Sequence, residues 1–168
     1  VNAFYENDWE ASKRSFELAL NYEPSYATAH LWYAWALTIQ GKFDEAKHHI
    51  QLARNLDPLS NIILASDGWI ASLSGSYGRA NNLLSSAIEL NPDFPRSHLW
   101  LAYNYWVTEE FDSALYHLEQ AVFLSKRHPQ YLSSLGFLYG ITQQPEKAAE
   151  INEEISGKSQ DRFVSNYD

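Results

Sequence analysis

ATAHLWYAWALTIQGKFDEAKHHIQLARNLDPLS, residues 27 to 60, reads as two helices of different character joined by a short turn. The first half runs Leu31, Trp32, Tyr33, Ala34, Trp35, Ala36, Leu37 with almost no polar relief. A helix that is apolar all round belongs where neighbours cover it. The second half, Phe43 to Leu56, is amphipathic. Phe43, Ala46, Ile50, Ala53 and Leu56 fall on one helical face, while Lys42, Glu45, His48, His49, Gln51 and Arg54 lie on the other. Gly41 sits in the turn, where a positive φ is often required, and Pro58 ends the winding.

The same design recurs with a fixed step. Ala46, Ala80, Ala114 and Ala148 are 34 residues apart, and Phe43, Tyr77 and Phe111 keep that spacing. Ala19, Ala53, Ala87 and Ala121 keep it as well, as do Pro24, Pro58 and Pro92. Several independent ladders with one period mark a repeat array. A unit of this length holds two short helices and two turns. Pro95, Pro129 and Pro145 stand at helix starts, where the missing N–H costs nothing. The units are 27–60, 61–94, 95–128 and a less regular 129–157, in which Lys126 replaces the closing Pro. Residues 1–26 are the C-terminal part of a truncated unit, and residues 1–6 read as the tail of its first helix. Residues 158–168, polar and then apolar at Phe163, Val164 and Tyr167, read as the start of a further repeat. Such units bury their apolar faces only against one another.

Composition narrows the function. The net charge is -9 and the pI about 5.0, which argues against phosphate backbones as partners of this segment. Absence of Cys removes disulfides and thiolate metal sites. No run reaches the roughly 18 apolar residues of a membrane span, and no secretory leader is visible. A cytoplasmic setting is the resulting expectation. The chain has no Met and begins at Val1, giving the expectation of a piece cut from a longer protein.

Catalytic and metal chemistry find no support. No His pair has the i, i+4 spacing of a helical zinc site, so the six His read as solvated or packed, and no metal or cofactor is expected. Glu109–Glu110 and Glu153–Glu154 read as solvated charge. No phosphate-binding glycine loop or nucleophile elbow occurs. The chain is not expected to be an enzyme.

These ladders resemble the tetratricopeptide-repeat (TPR) family, whose pattern places small residues at repeat positions 8, 20 and 27 and Pro at 32. With residue 27 as position 1, position 8 holds Ala34, Gly68, Ala102 and Gly136. Position 20 holds the Ala46 ladder, and position 27 holds Ala53, Ala87, Ala121 and, as a departure, Ile155. Asp67, at position 7, stands where the family usually has Leu, and a buried carboxylate there needs partners. Donors on the groove side or a neighbouring Ser are expected to supply them. The resemblance implies an all-α, right-handed superhelical solenoid of antiparallel helix pairs, with about nine full helices. First helices line its concave groove.

Family geometry puts positions 2, 5, 6, 9, 12 and 13 on the groove, and these spacings make one stripe of a helix. Five of the six Trp map there: Trp32, Trp35, Trp69, Trp100 and Trp106. An exposed apolar patch marks a binding site, and Trp and Tyr dominate interface hot spots. The candidate partner-binding groove is Thr28, Leu31, Trp32, Trp35, Ser66, Trp69, Arg96, Trp100, Tyr103, Trp106 and Phe137. The Lys, Asn and Arg that grip acidic chaperone tails in some family members are replaced here by Leu31, Trp35 and Ser66.

The expected function is protein–protein interaction, with a peptide or protein segment bearing apolar side chains held in this groove. The style resembles TPR segments of larger bacterial regulatory or scaffold proteins. Sensing of a small ligand and self-association into a homo-oligomer are the alternatives. No nucleic acid or membrane partner is expected of this segment.

Overall fold

The computed structural model describes the backbone of residues 9–164 and the side chains of residues 9–157. The expected helix over residues 1–6 lies outside the described residues. Nine helices are described: α1 (Trp9–Tyr22), α2 (Ala27–Ile39), α3 (Phe43–Leu56), α4 (Asn61–Leu73), α5 (Tyr77–Leu90), α6 (Pro95–Val107), α7 (Phe111–Leu124), α8 (Pro129–Ile141) and α9 (Pro145–Val164). The array is an all-α solenoid. The last helix continues without a turn through residue 164, so residues 158–164 extend α9, whereas the sequence suggested a new repeat there.

Two compact units divide the chain, residues 1–92 and 93–168. In the first, the core is built from Leu31, Tyr33, Ala34, Leu37, Ala46, Ile50, Ala53, Ile63 and Ile70, and Phe16 of α1 stacks on Tyr33 at 5.3 Å. In the second, Leu99, Ala102, Leu118, Ala121, Leu132, Leu135, Leu138 and Ile151 do the same work.

The turn inside each hairpin repeats to the atom. Gly41, Gly75, Glu109 and Gln143 all have positive φ, and the residue after each donates its N–H five residues back, as Lys42 does to the Leu37 carbonyl at 2.9 Å. That pattern is a Schellman closure, which requires a left-handed residue. Glycine meets the requirement without strain in the first unit, while Glu109 and Gln143 adopt it in the second despite a Cβ.

Asp67 proves to be fully buried on α4, but its partners are not the expected ones. Arg54 of α3 donates to Oδ2 at 2.6 Å, and Arg79 of α5 donates to both oxygens at 2.9 and 3.0 Å. One carboxylate thus ties three consecutive helices. Arg54, read from the sequence as part of a wet face, turns inward for this purpose. Similarly, Glu154 is not merely solvated, since the Arg127 guanidinium grips it through Nε and a terminal nitrogen.

Both features give measurable expectations. Arg54→Ala with Arg79→Ala strands a buried carboxylate and should cost about 3–5 kcal/mol in urea unfolding; Asp67→Leu should cost much less, because both arginines reach water. Gly68 is a close approach between helices: a Cβ there would lie 2.6 Å from Cγ of the buried Leu84. Gly68→Ala should therefore lower stability by about 1–3 kcal/mol, outweighing the gain of about 1 kcal/mol that Ala brings to an ordinary helix interior.

Candidate functional site

The first helices of the repeats, α2 and α4 in one unit and α6 and α8 in the other, carry the aromatic stripe. On α2, Trp35 is held by a relay: its Nε1–H donates to the Ser66 hydroxyl of α4 at 2.9 Å, and that hydroxyl donates to the Ile62 carbonyl at 2.6 Å. The fixed ring meets Trp32 edge-on at 4.9 Å and Trp69 at 5.4 Å. Three indoles thus form a continuous patch across two helices. Trp32 is its most open member, 42% exposed. Ile39 and Leu73, at the last positions of α2 and α4, are also exposed.

The second unit carries its own patch. Ser134 donates to the Gln130 carbonyl at 3.2 Å, so the Tyr103 hydroxyl donates to Ser134 at 2.7 Å. Trp106 meets Phe137 edge-on at 5.6 Å, and Phe137 is 59% exposed. Val107 and Ile141 close α6 and α8 as Ile39 and Leu73 close their counterparts, and all four are exposed. This aliphatic ladder occupies one repeat position, 13, at every 34th residue; sequence reading mapped it to the stripe without naming it in the site.

Not every named residue reaches solvent. Leu31, Ser66 and Trp100 are buried, at 5%, 0% and 7% exposure. Leu31 joins the core, Ser66 serves as the bracket for Trp35, and Trp100 lies under the Arg96 guanidinium, 5.7 Å from its ring centre. Thr28 and Tyr103 are exposed, while Trp35, Trp69, Arg96 and Trp106 are half-buried. In α2 and α8 no residue is charged, and in α4 the one carboxylate is the enclosed Asp67. Arg96 is the sole charged side chain of α6.

The chain's family follows from its own period and a family comparison. The family model described as tetratricopeptide repeat matches residues 2–58 and 70–131. The chain belongs to the tetratricopeptide-repeat family. Solved TPR structures share its fold. TTC0263, a thermophilic TPR protein in Thermus thermophilus, aligns at a TM-score of 0.83 with 22% identity, covering 98% of this chain and 92% of that one. MamA 41-end from Desulfovibrio magneticus RS-1 gives 0.72 and 18%, over 95% and 90%. YrrB, titled a TPR protein with an unusual peptide-binding site, gives 0.62 and 18%, over 98% and 85%. No curated protein matches this TPR chain in sequence. No described helix is long and apolar enough to cross a membrane.

Sequence reading missed a pair of histidine contacts. Nδ1 of His30 faces Nδ1 of His49 at 2.9 Å, and His98 faces His117 at 3.2 Å. Each contact joins the two helices of one repeat. Nε2 of His30 lies 3.1 Å from the Pro24 carbonyl and must donate to it, so neutral His30 accepts at Nδ1 and His49 donates. The 19-residue separation matches no metal-site spacing, but the recurrence of both members 68 residues later was the available signal. Burial, then the neighbouring His30 and His48, pushes His49 down to about 4; burial and His98 push His117 down to about 4. Tyr33 packs against His49, with Glu17 and Glu45 acting on it electrostatically, and Tyr105 and Tyr116 flank His117.

A base whose folded pKa is depressed favours the fold when neutral. Its contribution is complete above the unfolded value near 6.5 and is lost as pH falls toward 4. Unfolding near pH 5 should therefore take up about two protons through these histidines. His49→Gln with His117→Gln should reduce the slope of stability against pH between 6.5 and 4 by that amount, as read by urea unfolding across the range.

Proposed function

We propose that this TPR array binds a peptide or protein segment of another chain through the aromatic and aliphatic stripe of its first helices. TPR folds generally serve protein–protein interaction; the stripe is the specific reading. The observation that carries it is the Trp32–Trp35–Trp69 patch, braced by Ser66 yet open at Trp32. A surface that spends a buried hydrogen bond on posing an indole, and leaves the next indole in water, suits a guest that covers both.

Charge describes that guest. The chain has a net charge of -9, but the stripe helices show solvent little charge beyond Arg96. An apolar, nearly uncharged segment fits this face. Adjacent first helices lie roughly 8–10 Å apart by ordinary helix packing. Apolar side chains three residues apart on a polyproline II peptide share one face and lie about 9 Å apart, which matches one step of the aliphatic ladder within a unit. The peptide-binding site named for YrrB is consistent with this use of the fold. We place the array in a larger bacterial regulatory or scaffold protein of the cytoplasm, with output from another domain and no catalysis of its own.

Two substitutions separate binding from folding. Trp32→Ala should weaken partner capture by about 2 kcal/mol or more while leaving the melting temperature nearly unchanged. Trp100→Ala removes a buried ring and should cost about 3–5 kcal/mol of stability. Capture of partners by the wild-type chain and its undiminished capture by a well-folded Trp32→Ala chain would overturn the stripe as the binding face.

A further inference from the structure

A cleft of about 750 Å³ opens in the second unit between α7, α8 and α9. Its floor is Val122, Leu135 and Ile151, with Tyr139 as a wall. Leu135 and Tyr139 occupy repeat positions 7 and 11, off the aromatic stripe. The first unit contains the counterpart of this place, and there it is filled. Subtracting two repeats, 68 residues, turns Val122, Leu135 and Lys147 into Arg54, Asp67 and Arg79. Those three are the ion-paired cluster that ties α3, α4 and α5.

The comparison inside one chain shows what changed. Lys147 retains the positive charge of Arg79, while the carboxylate that Arg79 meets has become Leu135. The Lys147 ammonium instead stands 5.0 Å from the centre of the Tyr139 ring. Lys126 adds a second ammonium at the rim. Of the acids around the cleft, Glu119 accepts the Tyr139 hydroxyl at 2.7 Å and keeps its charge, and Glu154 is held by Arg127. Glu150 shares the lining, and among the described residues neither lysine forms an ion pair with it. The lining therefore carries three cations, Lys126, Arg127 and Lys147, against two carboxylates, Glu119 and Glu150, above an apolar floor.

The backbone at this rim is also unusual. Lys126 and Arg127 are consecutive left-handed residues, with φ of 54° and 57°, where the other units have Pro58-Leu59 and Pro92-Asp93. Left-handed non-glycine residues cost energy and concentrate at ligand clamps and switches. The Arg127–Glu154 bond pins this turn to α9.

We propose that the cleft receives an acidic side chain, flanked by aliphatic residues, from a partner polypeptide. The carboxylate serves Lys147 as Asp67 serves Arg79 in the first unit, and also pairs with Lys126. The flanking aliphatic groups pack on the exposed Phe123 ring, above the floor of Val122, Leu135 and Ile151. This site is independent of the aromatic stripe and differs from it in chemistry, since it selects for negative charge.

The test uses the full 168-residue chain and two probes, the peptides Ac-Ala-Leu-Asp-Leu-Ala-NH2 and Ac-Ala-Leu-Asn-Leu-Ala-NH2, with NMR signals of Val122, Leu135 and Ile151 as the readout. Saturable shifts are expected with the Asp peptide and at least tenfold weaker binding with the Asn peptide. Lys147→Gln, a surface change, should weaken the Asp peptide by about tenfold. Val122→Arg with Leu135→Asp should rebuild the cluster of the first unit and abolish binding while keeping the helical signal. Trp32→Ala should leave the titration unaltered, so failure here and failure of the stripe are separable. Absence of shifts, equal affinity for the two peptides, insensitivity to Lys147→Gln, or loss of binding in Trp32→Ala would each overturn the proposal. Should Val122→Arg with Leu135→Asp fail to fold, the Lys147→Gln titration decides.

Discussion

Everything in this chain depends on how closely its helices approach. Ala34, Ala46, Ala53, Ala80, Ala87, Ala102, Ala114 and Ala121 are all essentially closed to solvent, and Gly68 has no space for a methyl group. A side chain of one carbon at these contacts lets axes come near the short limit of helix packing. Dispersion between backbones then replaces the interdigitation of larger side chains. The consequence is that larger residues are displaced to the flanks of each first helix. On one flank they form the core, and on the other they form the aromatic stripe.

That constraint was legible because it is local and periodic. A 34-residue step in Ala and Pro fixes where helices start and which faces meet. The hairpin turns follow from it, even at Glu109 and Gln143 where no glycine announces a left-handed residue. Exposure along the stripe was less legible. Trp32, Ser66 and Trp100 share repeat position 6, yet the first is open and the other two are buried. A helical wheel gives a direction but not what lies in that direction. The neighbouring side chains decide, and they differ from unit to unit: Ser66 is small enough to sit beneath Trp35, and Arg96 covers Trp100.

Long-range polar contacts were the least visible. Asp67 announced itself by standing where Leu is usual, but its partners come from helices on either side, 13 and 12 residues away. The histidine pairs span a whole hairpin and have no local pattern. In both cases the useful signal is comparison between repeats. Position 7 is Asp in one unit and Leu in another, and the surroundings change with it from an ion cluster to an open cleft. An array of near-equivalent units can thus hold one scaffold constant while each unit acquires its own chemistry.

The claim on which the functional reading turns is that Trp32 stands open on the first-helix face while Trp100 does not. Indole N–H signals of the folded chain in the presence of a neutral gadolinium chelate measure this directly. The account predicts strong broadening of the Trp32 signal and retention of the Trp100 signal. Equal protection of both, or broadening of Trp100 with Trp32 untouched, would contradict it.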